Sequence, residues 1–191
     1  MATLLIVYGT GEGHTRRIAE HVAAFARDHG HLAYVHDAAL HPSLSEDHDA
    51  VVVAAPVHQG RHPPAVADFV RAHREALRGV PTAFLSVSMT AAFPGESHRS
   101  EAMGYVHAFV RETGWRPGRV HLVAGALLYT RYDFMKRAVA RLIAREHGAV
   151  TDPSRDTVYT DWAQLERDTA AFLASLARTP RPAGPLPNAP G

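Results

Sequence analysis

"TLLIVYGTGEGHTRRIAEHVAAFARDHG", residues 3–30, decides the fold. Its first six residues are an apolar run suited to a buried strand. The next seven, residues 9–15, hold three glycines and two threonines. The remainder reads as a helix. A strand, a glycine-rich loop and a helix in that order begin a β/α unit, and such a loop at a helix N-terminus is a ready place for a phosphate.

The same alternation continues down the chain. Strands are expected at Thr3–Tyr8, Leu32–His36, Ala50–Ala55, Thr82–Ser88 and Arg119–Leu127. Helices are expected at about His14–Asp28, Pro64–Leu77, Ser97–Thr113 and Asp161–Ala177. Gly30, Gly79 and Gly114 follow three of the helices, where glycine is suited to a left-handed cap. Pro63 and Pro64 open another, where a missing N–H costs nothing. "VVVAA" and "AFLSV" are apolar on both faces, as strands covered by helices on each side must be. Five such units predict an α/β domain with a doubly wound five-stranded parallel sheet of order 2-1-3-4-5. It occupies residues 1–178 as a single domain. Residues 128–160 form an insertion after the fifth strand. Residues 179–191, "TPRPAGPLPNAPG", contain five prolines and almost nothing to bury, the composition of a disordered tail.

Composition narrows the function. The chain has 191 residues, 46% of them hydrophobic, with a net charge of +1 that creates no global pull toward nucleic acid. The absence of cysteine removes disulfides, thiol nucleophiles and iron–sulfur ligation. "MATLLIVYG" lacks a basic leader and runs straight into a strand, so it does not read as a signal peptide. No apolar stretch reaches the roughly 18 residues a membrane span needs. A cytoplasmic protein is expected.

Three nucleotide loops compete for residues 9–15. A P-loop needs a lysine before its final hydroxyl residue, and here His14 precedes Thr15. A dinucleotide fingerprint needs a third glycine where His14 stands, although Gly9, Gly11 and Asp37 are suitably spaced. A monophosphate loop needs only hydroxyls and converging N–H groups at a helix N-terminus, which Thr10, Thr15 and the glycines supply. A turn that binds nothing is the remaining alternative.

The loop resembles the FMN-phosphate loop of flavodoxins, a Ser/Thr-x-Thr-Gly-x-Thr run, through Thr10, Gly13 and Thr15; Glu12 replaces one threonine. A broader resemblance runs from Arg17–Ala19 through "GWRPGRVHLVAGALLYTRYDF" at 114–134 to "VYTDW" at 158–162. These stretches resemble the menaquinone-dependent protoporphyrinogen oxidases of flavodoxin fold. The resemblance implies FMN as cofactor, protoporphyrinogen IX as electron donor and menaquinone as acceptor.

In such a sheet the ligand lies where the winding reverses, beyond the carboxyl ends of strands 1 and 3. The expected FMN contacts are Thr10, Gly11, Glu12, Gly13, His14 and Thr15 around the phosphate. Val57, His58, Gln59 and Gly60 after strand 3, with Ser88, Met89, Thr90 and Phe93 after strand 4, are expected around the ring. Gly60 lets a backbone group approach the flavin N5. His58, His62 and Phe93 are the stacking candidates; Gln59 stands where the family often has an aromatic. "HQGRH" does not complete a metal site, because Gly60 and Pro63 oppose a helix and no carboxylate joins the histidines.

Within the insertion, residues 131–147 place Tyr132, Met135, Val139, Leu142 and Ile143 on one helical stripe. Five basic residues against two acidic ones give this stretch a net +3. It is expected to form a basic amphipathic helix that packs on the domain or touches an anionic membrane surface peripherally. Arg131 and Tyr132 are the substrate candidates, Arg131 as a bidentate partner for a propionate. The whole reading is a flavin-dependent oxidoreductase of haem biosynthesis, in which the cofactor carries the electrons and no catalytic side chain beyond it is required. An electron-carrier flavodoxin would be expected to be acidic, and this chain is not. An NAD(P)H-dependent quinone reductase is the other alternative, because nicotinamide can stack on exposed flavin.

Overall fold

A computed structural model describes residues 1–45, 47–127 and 157–176. Five strands, β1(Thr3–Tyr8), β2(Leu32–Asp37), β3(Ala50–Pro56), β4(Thr82–Ser88) and β5(Arg119–Ala124), form one sheet of order β2-β1-β3-β4-β5. All four pairings are parallel. The helices are α1(His14–Asp28), α2(Pro64–Ala72), α3(Arg74–Arg78), α4(Glu96–Thr113) and α5(Trp162–Leu176).

Alternation along the strands sorts the core into two layers. Leu4, Ile6 and Tyr8 of β1 face α1 and α5, meeting Ile18, Val22, Leu165 and Phe172. Leu5 and Val7 face α2 and α4, meeting Val66, Phe69, Val106, Phe109 and Trp115. β3 and β4 are buried along their whole length, which is why they read as unbroken apolar runs. β2 is an edge strand with three exposed positions, and its apolar content is correspondingly thinner.

Three local expectations are corrected. The helix expected over Pro64–Leu77 is two helices, broken at His73 (φ −111°, ψ 17°), whose ring stacks on Phe69 at 4.7 Å. The strand expected over Arg119–Leu127 ends at Ala124. Gly125 donates its N–H to the Ser88 carbonyl (3.0 Å), and β6(Ala126–Leu127) leaves the sheet to pair antiparallel with β7(Thr157–Val158). Gly79 caps with a right-handed φ of −84°, whereas Gly30 and Gly114 take the expected left-handed conformation. The basic helix expected at 131–147, the substrate candidates Arg131 and Tyr132, and the proline-rich 179–191 lie outside the described residues.

Candidate functional site

A cleft open to solvent lies beyond the carboxyl ends of β1, β3, β4 and β5. Its wall is made by Thr10, Gly11, Glu12, His14 and Thr15 after β1. Pro56, Val57 and His58 follow from β3, Val87, Ser88 and Met89 from β4, and Gly125 and Ala126 from the β5 end. Parallel strands put their loops on one edge, so the winding reversal between β1 and β3 opens the cleft there.

At one end the cleft is built from backbone. Gly13 caps α1 at φ 86° and no side chain closes the helix end. The first N–H groups of an α-helix have no partner one turn back, so those of His14 and Thr15 are not used by the helix itself. The Thr10 hydroxyl oxygen accepts the Gly13 N–H at 2.8 Å, which pulls the loop into a tight turn. A Cβ on Gly11 would come within 3.2 Å of His58 Nε2, so this backbone is kept bare against the opposite wall. Bare amides, two threonines and the positive end of a 15-residue helix suit a phosphate monoester. Pro56, Val57, Val87, Met89 and Ala126 make the other end mainly apolar, as a flat aromatic ring requires.

His14 is 6% exposed and belongs to both the loop and its support. Thr160 donates its hydroxyl to the Ala124 carbonyl (2.6 Å), so its oxygen accepts from His14 Nε2 at 2.7 Å. The Trp162 ring meets the His14 ring edge-on at 6.1 Å. Burial, and secondarily Arg17, hold the His14 imidazole below the ordinary histidine range.

The sequence candidates divide into three groups. Thr10, Gly11, Glu12, His14, Thr15, Val57, His58, Ser88 and Met89 stand together in the cleft wall, with Gly13 behind them as the helix cap. Gln59 and Gly60 are exposed at the tip of a turn in which His58 and Arg61 exchange both backbone hydrogen bonds, 2.8 and 3.1 Å long. Thr90 and Phe93 lie off the wall. Thr90 meets the Tyr105 hydroxyl at 3.4 Å in a cluster completed by the Tyr105–Glu101 hydrogen bond, and Phe93 tilts against His98. Burial, then Glu101, raises the Tyr105 hydroxyl above its ordinary pKa.

His62 is not a stacking residue. It is 8% exposed, wedged between Phe84 and Phe109 at 5.1 Å from each, and its Nδ1 donates to the Pro56 carbonyl (3.1 Å). Burial lowers its pKa to about 4, against the two backbone carbonyls of Pro56 and Ala55 that raise it. Pro56, Val87, Gly125 and Ala126 are wall residues that sequence reasoning missed. For Gly125 and Ala126 the only signal was a glycine inside an apolar run. No group of three or more metal-ligating side chains occurs among the described residues.

The sheet order and the position of the cleft define a doubly wound protein with a ligand site at its winding reversal. The flavodoxin domain pattern matches residues 5–154, and the chain belongs to that family. More particularly, it is similar to protoporphyrinogen IX dehydrogenase [quinone] of Escherichia coli K12. The two are 35% identical over 179 residues, covering 92% of this chain and 97% of that one. Among solved structures, oxidised flavodoxin 1 from Bacillus cereus superposes with a TM-score of 0.53 at 16% identity, over 91% of this chain and 98% of that one. A Fusobacterium nucleatum flavodoxin variant bound to flavin mononucleotide gives 0.50 at 11% identity, over 93% and 96%.

Proposed function

We infer that this chain is an FMN-dependent oxidoreductase that oxidises protoporphyrinogen IX to protoporphyrin IX and passes the electrons to a quinone. The observation that carries this reading is likeness along almost the whole length of a protoporphyrinogen dehydrogenase. The cleft described above adds the right chemistry at the right edge of the sheet.

When bound, FMN supplies the two-electron redox chemistry. The chain's own residues bind and orient it. Thr10 and Thr15 offer hydroxyls to the phosphate, and the first N–H groups of α1 offer donors together with the helix dipole. Pro56, Val57 and Met89 would offer apolar surface to the ring and keep water from it. His58 stands in the wall opposite Gly11, and Gln59–Gly60 shape the rim above it. Thr90, Glu101 and Tyr105 tie α4 to the loop after β4, holding that side of the rim in place. No strongly acidic surface is needed, because the donor and acceptor are small molecules rather than protein partners.

Menaquinone is the acceptor suggested by the sequence resemblance. Arg131 and Tyr132 are proposed to meet the substrate propionates, and the net positive charge of 131–147 suits peripheral contact with an anionic membrane. No helix among the described residues is long and apolar enough to cross a membrane.

Anaerobic mixing tests the reading. The oxidised flavoprotein is expected to bleach with protoporphyrinogen and to recover its colour on addition of a quinone. Bleaching by NAD(P)H, with none by protoporphyrinogen, would turn the assignment to a nicotinamide-dependent quinone reductase.

A further inference from the structure

We propose that Tyr105 on α4 is a positioning residue for the flavin ring, one that spaces the loop after β4 from the turn after β3. The inference rests on the FMN reading and concerns the ring end of the cleft, whose width the phosphate loop does not set. Ser88 and Met89 bring the loop after β4 into the cleft wall, and Val57 and His58 bring in the base of the turn. The two segments leave neighbouring parallel strands and are free to splay unless something joins them.

Tyr105 joins them. Its half-buried ring faces the turn, where a Cβ on Gly60 would meet Tyr105 Cε1 at 3.8 Å. Its hydroxyl reaches the loop. The Tyr105 O–H donates to Glu101, so its oxygen is left to accept from Thr90, 3.4 Å away. The Thr90 hydroxyl also lies 3.5 Å from Glu101 Oε1 and, having one proton, donates to one of the two at a time. Burial, then Glu101, raises the Tyr105 hydroxyl above its ordinary pKa, so it stays a donor at neutral pH. The support is firm, because the next residue, Val106, is 1% exposed and belongs to the core layer of Phe109 and Trp115.

Magnitudes rank the two contacts. O–H···O bonds are ordinarily about 2.5–3.0 Å long, so the Thr90 contacts restrain the loop only weakly. The ring against Gly60 is at ordinary van der Waals distance and stands beside the tip of the turn. The His58–Arg61 backbone bonds fix the shape of the turn but not its tilt, and Tyr105 limits the tilt. A bound flat ring is sensitive to that tilt, because a gap of about 0.5–1 Å forfeits roughly a quarter to a half of a dispersion contact.

Flavin release on dilution of the holoprotein tests the proposal, with FMN and with riboflavin, which lacks the phosphate. Y105L removes ring and hydroxyl together. It is expected to lower both affinities by the same factor, about tenfold, because the loss is at the ring end. Y105F keeps the ring and is expected to lose only about twofold. Should Y105L fail to fold, Y105M refills part of the space and is expected to lose about threefold for both flavins. V106A controls for mere destabilisation. It truncates the core beside Tyr105 and is expected to lower the melting temperature while leaving riboflavin affinity and the flavin absorption maxima native. Y105L is expected to shift those maxima. Native riboflavin affinity in Y105L, a loss confined to FMN, or an equal riboflavin loss in V106A overturns the proposal. A native protein that retains neither flavin overturns the cofactor reading instead.

Discussion

His14 and His62 are almost equally buried, at 6% and 8%, and each roots a glycine-bearing loop at the same edge of the sheet. Their surroundings differ in one respect. His62 sits between Phe84 and Phe109 with Nδ1 bonded to Pro56 and Nε2 3.5 Å from Ser86 Oγ. His14 lines the cleft, with one nitrogen bonded to Thr160 and the other buried and unpaired. The turn above His62 is satisfied internally and contributes shape. The loop around His14 is left unsatisfied by its own helix and is the one proposed to bind. Burial alone does not separate the two residues; the tally of hydrogen-bond partners does.

The largest effect is expected where the loop is unsatisfied. Replacing Thr10 and Thr15 together with alanine removes two hydroxyl donors to a charged group, at about 1.5–3 kcal/mol each before water recovers a part. FMN affinity is expected to fall by about 2–4 kcal/mol, roughly 30- to 1000-fold. Riboflavin affinity should change little. Equal losses for both ligands would mean that the threonines support the loop rather than the phosphate.

The comparison can next be broken with acid. His62 titrates near 4 in the folded chain and near 6.5 when unfolded. Its folded pKa is depressed, so the unfolded chain takes the proton first as pH falls. The stabilisation is complete above pH 6.5 and is lost progressively down to about 4. The loss is about 3 kcal/mol for a shift of this size. Urea unfolding at a series of pH values measures it. The H62F variant is expected to show a shallower acid slope than the native protein, and an identical slope would assign the effect to other histidines.

Gly9 sharpens the same contrast from below. A Cβ there would lie 2.5 Å from Val66 Cγ2, where β1 passes under α2. G9A is expected to cost about 1–3 kcal/mol by overpacking, read as a lowered melting temperature. V66A in the same chain should restore part of it by clearing the methyl. If G9A alone is neutral, the root of the phosphate loop is looser than its contacts imply.

Much of this was legible in the sequence because it is local. The order of elements follows from apolar runs of strand and helix period, and the glycine-bearing turn into α1 follows from the residues between Gly9 and Thr15. What escaped was set by distant contacts. The partner of His14 lies 146 residues away at Thr160, and no spacing rule links them. The break at Gly125 was hidden because "VAGAL" is apolar on both sides of it; only the Ser88 carbonyl and the pairing with Thr157–Val158 divide β5 from β6. His62 looked like a ring-facing aromatic because its position in the loop says nothing of the space between Phe84 and Phe109.

The smallest effect belongs to the satisfied turn. His58 and Arg61 close it with paired backbone bonds, and both residues between them have positive φ, 50° at Gln59 and 77° at Gly60. This is the requirement of a primed two-residue hairpin loop, which favours Asn-Gly or Gly-Gly in that place. Gly60 meets it without strain, but Gln59 carries a Cβ in a conformation that costs roughly 1 kcal/mol. Q59G removes the strain and adds chain entropy to the unfolded state, two effects of opposite sign and similar size. Q59N keeps a side chain and tolerates the left-handed region better, so it is expected to stabilise the protein by a few tenths of a kcal/mol to about 0.5. Q59V, branched at Cβ, should destabilise by about 1 kcal/mol or more. The gain in Q59N should appear in thermal melts without any change in affinity for FMN, because Gln59 is outside the cleft wall. If Q59N instead alters FMN binding, the turn is part of the binding surface, and the division between a loop that binds and a turn that shapes does not hold.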